Sequence, residues 1–119
     1  MVTILIVDDV VENARILASL VQDLGEVVFA TDGEAALALS EQHAPDLVLL
    51  DATMPGMTGF DVCEAVRADE NVRATRILML TAKGRESDVA RGLGAGADAY
   101  VTKPFSTRDL VAKVREMLA

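Results

Sequence analysis

Five short apolar segments punctuate the chain and are separated by segments with helical periodicity. The first, third and fourth are continuously apolar, which is typical of strands in a parallel sheet covered on both faces. The five predicted strands span Thr3–Val7, Val27–Ala30, Leu47–Leu50, Ile77–Leu80 and Ala99–Val101. Because a helical segment follows each of them, the pattern predicts five consecutive strand-helix units.

The helical segments have apolar residues at i, i+3, i+4 and i+7, the spacing of an amphipathic helix. The first stripe consists of Ala14, Leu17, Ala18, Val21 and Leu24, and the last of Leu110, Val111, Val114, Met117 and Leu118. Other helices are predicted to begin near Gly33, Gly59 and Glu86. Ser106 followed by Asp109 resembles a capping box at the start of the last helix. Strict alternation of strands and helices predicts an α/β fold with a doubly wound parallel sheet.

The fourth predicted helix is unusual because it contains Gly92, Gly94 and Gly96. Each glycine costs roughly 1 kcal/mol relative to alanine inside a helix. Two interpretations follow. Either this helix is comparatively loose, or Gly94 or Gly96 ends it and the others allow close packing.

Composition and charge indicate the domain organisation and disfavour some classes of ligand. A chain of 119 residues with 51% hydrophobic residues predicts one packed domain over residues 1–119. Eleven Lys and Arg against 19 Asp and Glu give a net charge of -8, which disfavours direct binding of nucleic acid or an anionic membrane. A single cysteine, Cys63, and the lack of a zinc-type Cys/His pattern fit a reducing cytoplasmic setting. No apolar run is long enough for a signal peptide or a membrane span.

Polar residues stand where the predicted strands end. Asp8 and Asp9 follow the first strand, Asp51 the third, Thr81 the fourth and Lys103 the fifth. The carboxyl ends of parallel strands lie along one edge of the sheet, where doubly wound folds bind their ligands. We therefore expect these five side chains to converge in one small volume.

Three neighbouring carboxylates favour a cation, and oxygen ligands without His or Cys select a hard ion such as Mg²⁺. Magnesium in proteins commonly bridges carboxylates and phosphate oxygens, so a phosphoryl group is the expected ligand. Lys103 and Thr81 suit its oxygens, and the Asp51 carboxylate is the candidate nucleophile. Taken singly, Asp8 and Asp9 could instead cap the following helix.

The set Asp8-Asp9, Asp51, Thr81 and Lys103-Pro104 resembles the signature of receiver domains of two-component response regulators, including the chemotaxis regulator. The resemblance covers essentially the whole chain. Further matching positions are Met54-Pro55-Gly56 with Gly59, Gly96-Ala97-Asp98, Tyr100 and Phe105. The family implies a flavodoxin-like (βα)5 fold with strand order 2-1-3-4-5.

The same resemblance implies a metal site and a phosphorylation site. Asp9, Asp51 and the Thr53 carbonyl would ligate Mg²⁺ directly, and Asp8 would act mainly through water. Asp51 would accept a phosphoryl group from a phosphohistidine of a histidine kinase or phosphotransfer protein. Lys103 would bond that group, and its peptide bond to Pro104 would be cis.

The resemblance also implies how the signal leaves the site. The Thr81 hydroxyl would move toward the phosphoryl group, and Tyr100 would rotate into the space that it leaves. The surface formed by the fourth helix, fifth strand and fifth helix would then change for a downstream protein or for an output domain absent from this chain. Ala82 would leave the site accessible, and Thr53 and Lys83 would adjust the rate of dephosphorylation. In this view the chain is not a conventional enzyme, since it catalyses only its own phosphorylation and dephosphorylation.

Three other functions compete with this interpretation. Phosphatases of the haloacid-dehalogenase type also use an aspartate nucleophile with Mg²⁺, but they need a second Asp where this chain has Thr53. A flavin-binding flavodoxin-like module would need a Ser/Thr/Gly-rich phosphate loop where Asp8 and Asp9 stand. The third alternative is a degenerate receiver used only for protein contacts.

Overall fold

Strands and helices alternate along the computed structural model, which describes residues 2–82 and 86–119. The elements are β1 (Thr3–Val7), α1 (Val11–Val21), β2 (Glu26–Ala30), α2 (Gly33–His43), β3 (Leu47–Asp51), α3 (Gly59–Ala68), β4 (Arg76–Ala82), α4 (Glu86–Ala95), β5 (Ala99–Lys103) and α5 (Thr107–Leu118). All strand pairs are parallel, and the sheet order is β2-β1-β3-β4-β5. The predicted doubly wound α/β fold and its strand order are confirmed.

Two hydrophobic clusters lie on opposite faces of the sheet, because successive strand residues point to opposite sides. Ile4 and Ile6 of β1 pack with residues of α1 and α5. Leu5 and Val7 pack with residues of α2 and α3. Complete burial of each such side chain contributes about 1.5–3 kcal/mol. The central strands are therefore apolar on both faces, which explains their continuous hydrophobic runs. None of the helices among residues 2–82 and 86–119 has the length and apolarity that a membrane crossing needs.

Three strands extend further than their apolar runs. β3 includes Asp51, β4 includes Thr81 and Ala82, and β5 includes Lys103. The parallel register continues through these positions, since Asp51 pairs with Leu80 and Ala82 with Lys103. The hydrophobic pattern indicates which residues are buried, whereas a strand is defined by its backbone pairing. The strand ends predicted from the pattern were therefore too early. The polar side chains therefore stand on the sheet itself.

Local signals set the helix ends. Asp32 caps α2 by accepting a hydrogen bond from the Ala35 N–H at 2.7 Å. Ser106 caps α5 in the same way, accepting from the Asp109 N–H at 3.0 Å. A reciprocal capping box stands at α3, between Thr58 and Asp61.

Gly96 ends helix α4. Its φ of +114° lies in the left-handed region that favours glycine. The Gly96 N–H donates to the Leu93 carbonyl at 3.1 Å, and the Ala97 N–H donates to the Gly92 carbonyl at 3.0 Å. This pair of bonds is a Schellman motif, so one of the three glycines has the role of a helix stop.

Gly59 is required by close packing against β3. A Cβ at this position would lie 2.8 Å from the Ala52 Cα and closer still to the Asp51 carbonyl oxygen. Both obstacles are backbone atoms and cannot rotate away. The start of α3 is thereby fixed directly against the residue that ends β3.

We expect Gly59→Ala to lower the free energy of unfolding by about 1–3 kcal/mol, because the added methyl group overpacks a rigid backbone contact. The matched control is Gly94→Ala in α4, where an added Cβ meets nothing within 4 Å. The control should be neutral or should stabilise the protein by up to about 1 kcal/mol, through helix propensity. Urea denaturation measures both variants. Equal stability of the two would contradict the packing argument.

Candidate functional site

Three carboxylates meet at the carboxyl ends of β1 and β3. One carboxylate oxygen from each of Asp8, Asp9 and Asp51 lies within 4.8 Å of the others. Asp8 is fully buried and Asp51 is 8% exposed, whereas Asp9 is open to solvent. Three carboxylates are therefore close together and two of them are poorly hydrated. A nearby positive charge is required to offset their repulsion.

Lys103 supplies one positive charge from the end of β5. Its Nζ lies 3.7 Å from Asp51 Oδ2 and 3.9 Å from Asp8 Oδ2. One ammonium therefore faces two carboxylates, and it remains partly exposed to solvent. The peptide bond between Lys103 and Pro104 is cis.

Asp8 is the carboxylate with the least favourable environment. Burial raises its pKa above the ordinary value of 3.8, and the nearby charges of Asp51 and Asp9 raise it further. A hydrogen bond from the Val10 N–H to Asp8 Oδ1 at 2.9 Å and the charge of Lys103 act in the opposite direction. Asp8 Oδ2 has no hydrogen-bond partner within the described residues.

The helix-cap interpretation of Asp8 and Asp9 is wrong. The N-cap residue of helix α1 is Val10, in extended conformation, and within residues 2–82 and 86–119 no side-chain cap hydrogen bond forms there. Asp8 instead accepts a hydrogen bond from the Val10 N–H within the loop between β1 and α1. The two aspartates are thus left available to the site between the strand ends.

The Asp51 carboxylate has two oxygens in different environments. Oδ1 accepts a hydrogen bond from the Thr53 N–H at 3.0 Å. Oδ2 is the oxygen that faces the Lys103 ammonium. The backbone bond fixes the rotation of the carboxylate and leaves one oxygen toward the cation.

A hard divalent cation fits these residues. Asp8 Oδ2 is buried without a hydrogen-bond donor, and the three carboxylates lie close enough to share one ion. Oxygen-only ligands with two or more negative charges match the preference of Mg²⁺. A cation here would also offset the repulsion that raises the pKa of Asp8.

Thr81 lies near the end of β4, one residue after Leu80, which pairs with Asp51 in the sheet. Its side chain is 1% exposed, and Oγ1 has no hydrogen-bond partner in the described part of the chain. A buried hydroxyl without a partner costs free energy and gains from any acceptor that comes within reach. Tyr100 of β5, by contrast, is 44% exposed.

Two parts of the site were missed by sequence reasoning. The first is the close contact of Gly59 with the Asp51 backbone. The sequence placed Gly59 at a helix start and among the positions of the family resemblance, but it did not predict this contact. A groove of about 290 Å³ adjoins Asp8 and Lys103 and is lined by Asn13 and the apolar residues Ile16, Leu17, Pro104 and Phe105. Pro104 and Phe105 belong to the family resemblance, but the sequence did not predict a groove beside them. Lys83 and the side chain of Ala82 lie outside the described residues.

The family model of the response regulator receiver domain matches residues 4–115. The sensory transduction protein RegX3 of Mycobacterium tuberculosis is 45% identical over 119 residues, which are 99% of this chain and 51% of that protein. The DNA-binding response regulator MtrA of Mycobacterium leprae is 46% identical over 116 residues, 97% of this chain and 50% of that protein. The chain thus spans about half the length of the curated relatives that it matches.

Solved structures give the same result. A putative response regulator from Chloroflexus aurantiacus superposes with a TM-score of 0.92 at 38% identity, covering 98% of this chain and 96% of that one. The chemotaxis protein CheY4 of Vibrio cholerae superposes with a TM-score of 0.91 at 34% identity, covering 99% of both chains. Sequence, fold and strand-end residues agree, and the chain belongs to the response regulator receiver domain family.

Proposed function

We propose that the chain is a phosphorylation-dependent switch in a two-component pathway, with Asp51 as the phosphoacceptor. The observation that carries this proposal is the position of the Asp51 carboxylate. It lies between two further aspartates and a lysine, and one of its oxygens is oriented toward that lysine. The carboxylate is nearly buried, and the hydrogen bond from the Thr53 N–H holds it in place.

The proposed reaction is transfer from a phosphohistidine of a kinase or phosphotransfer protein. An Asp51 oxygen attacks phosphorus in line, the N–P bond breaks, and the histidine nitrogen takes up a proton. The product is an acyl phosphate on Asp51, and its hydrolysis by water resets the switch. The reaction occurs on the chain itself, so the domain acts as a substrate that assists its own modification.

Lys103 has the role of a charge partner for the phosphoryl oxygens. Its ammonium faces Asp51 in the unmodified protein and is within reach of a group attached there. Asp9, Asp51 and the Thr53 carbonyl are the proposed direct ligands of Mg²⁺, and Asp8 is proposed to act through bound water. When bound, Mg²⁺ offsets the charge of the transferring phosphoryl group.

The output is proposed to begin at Thr81. Its buried hydroxyl has no partner in the described structure, so a phosphoryl oxygen on Asp51 would give it a strong acceptor. Movement of Thr81 toward that oxygen would leave space into which the exposed ring of Tyr100 turns. The surface of α4, β5 and α5 would then differ between the two states.

The partners follow from this reaction. A histidine kinase or phosphotransfer protein would supply the phosphoryl group in the cytoplasm. The recipient of the signal would be another protein or an output domain, because the net charge of -8 disfavours direct nucleic-acid or membrane binding by this domain. Sensory transduction by RegX3 and DNA binding by MtrA are functions of proteins about twice the length of this chain.

Asp51→Asn should abolish phosphorylation, because an amide oxygen is a poor nucleophile and its nitrogen cannot accept the group. Lys103→Ala should slow it by about a hundredfold or more, through loss of one charge partner. Intact-mass spectrometry after incubation with acetyl phosphate and Mg²⁺ measures both. Asp23→Asn, an exposed aspartate on the loop after α1, is the control. A phosphoryl group retained on Asp51→Asn would remove the central assignment.

Asp8→Asn should stabilise the protein at neutral pH when Mg²⁺ is absent. Burial raises the pKa of Asp8 above 3.8, so the folded state binds a proton more readily than the unfolded state. Stability is therefore present at low pH and is lost as pH rises through the raised pKa. The advantage of Asp8→Asn should shrink as the pH falls toward 3.8. Thermal unfolding in a chelator, across this pH range, measures the difference.

The same substitution should weaken Mg²⁺ binding by about ten- to a hundredfold, the usual effect of removing an outer-shell carboxylate. Magnesium should consequently raise the unfolding temperature of the wild type more than that of Asp8→Asn. Asp23→Asn should respond like the wild type. Equal Mg²⁺ affinity of wild type and Asp8→Asn would contradict the proposed metal site.

Thr81→Ala should uncouple Tyr100 from the phosphorylation site. The chain contains one Tyr and no Trp, so tyrosine fluorescence reports on Tyr100 alone. We expect phosphorylation to change this fluorescence in the wild type and in Thr81→Ser, which retains the hydroxyl, but not in Thr81→Ala. A full fluorescence change in phosphorylated Thr81→Ala would mean that the hydroxyl is not the link.

A further inference from the structure

The first residues of α3 lie between the phosphorylation site and α4. Gly59 packs against the backbone of Asp51 and Ala52 without room for a side chain. The Gly59 N–H also donates to the Ala52 carbonyl at 3.2 Å. Since these contacts are between backbone atoms, a shift of Asp51 or Ala52 must displace the start of α3.

The next residue, Phe60, contacts α4. Its ring is 4% exposed and is covered by Arg91, whose guanidinium carbon lies 4.3 Å from the ring centroid. The neighbouring Gly92 also faces the ring, since a Cβ at that position would lie 3.7 Å from Phe60 Cε1. A guanidinium over an aromatic face is an attractive cation-π contact.

The carboxyl ends of α3 and α4 are joined by Arg67. Its Nε donates to the Gly96 carbonyl at 2.8 Å, and a terminal nitrogen donates to Asp98 Oδ2 at 2.8 Å. The same Asp98 oxygen accepts a hydrogen bond from the Ile77 N–H at 2.8 Å. Both helices are thus anchored to the start of β4, at the edge of the sheet away from Asp51.

We infer that Phe60 and Arg91 form a second connection between Asp51 and α4, separate from Thr81 and Tyr100. This inference rests on the proposed phosphorylation of Asp51. A phosphoryl group adds three oxygens to Asp51, whose backbone is already in close contact with Gly59. A shift of that backbone therefore displaces Gly59 and, with it, the next residue, Phe60. Because Arg67 fixes the carboxyl end of α4, the helix cannot follow as a rigid body, and the Arg91 contact weakens.

The contact therefore favours the unmodified state, and by linkage it opposes the addition of a phosphoryl group. Removal of the contact between Phe60 and Arg91 therefore makes addition of a phosphoryl group more favourable. A cation-π contact at an exposed position has a strength that corresponds to about a two- to fivefold change in an equilibrium constant. This value is the largest effect that removal of Arg91 should have on the affinity for a phosphoryl mimic.

The experiment compares wild type, Arg91→Ala and Arg91→Lys, each titrated with beryllofluoride and Mg²⁺ in a calorimeter. Arg91→Ala should bind beryllofluoride about two- to fivefold more tightly than the wild type. Arg91→Lys keeps a cation near the ring and should lie between them. Hydrogen exchange of the α4 amides should be faster in unliganded Arg91→Ala, so that beryllofluoride changes it less than in the wild type.

Arg15→Ala, an exposed arginine on α1, is the matched control and should bind as the wild type does. Unchanged or weaker binding by Arg91→Ala would overturn the inference, because a merely structural contact would not oppose the phosphoryl mimic. Binding that persists in Asp51→Asn would instead remove the proposed function, and this inference with it. The two failures are therefore distinguishable.

Discussion

The attraction between one lysine and two poorly hydrated carboxylates is the interaction on which this site depends. The Lys103 ammonium lies 3.7 Å from Asp51 and 3.9 Å from Asp8, and the third carboxylate, Asp9, is beside them. One positive charge does not neutralise three negative ones. Burial, together with the remaining charge imbalance, raises the pKa of Asp8. The imbalance also makes the site favourable for a divalent cation and for a ligand that brings its own metal-binding oxygens.

The parallel sheet makes this arrangement possible. Asp8 follows directly after β1, Asp51 ends β3 and Lys103 ends β5. These strands are far apart in sequence but end at the same edge of the sheet. The apolar residues of these strands are buried on two faces and position the strand ends rigidly. Hydrophobic burial of these strands contributes favourable free energy. This offsets the electrostatic repulsion between the poorly hydrated carboxylates at the edge of the sheet.

Two residues near Asp51, Thr81 and Phe60, have contacts that modification of Asp51 would change. Both therefore suit a switch. Thr81 has a buried hydroxyl without a partner among the described residues. Phe60 follows Gly59, which packs against the Asp51 backbone, and its ring is covered by Arg91. The first would gain a bond when a phosphoryl group arrives, and the second would lose a contact. In the proposed function both changes act on the same region, since β5 and α4 are neighbours of β4. A small covalent change could then alter a whole surface.

The order of apolar and polar residues determined the fold class, because continuous hydrophobic runs require strands covered on both faces and helical stripes supply the cover. It also marked the strand-end residues, since polar side chains interrupt an otherwise apolar pattern. Only the tertiary structure decided that Asp8 is buried while Asp9 is open, that the strands continue through Asp51 and Lys103, and that neither aspartate caps α1. The contacts of Arg67 with Gly96 and of Arg91 with Phe60 likewise join residues far apart in sequence. Such contacts depend on how helices pack over the sheet, and no local periodicity records that packing.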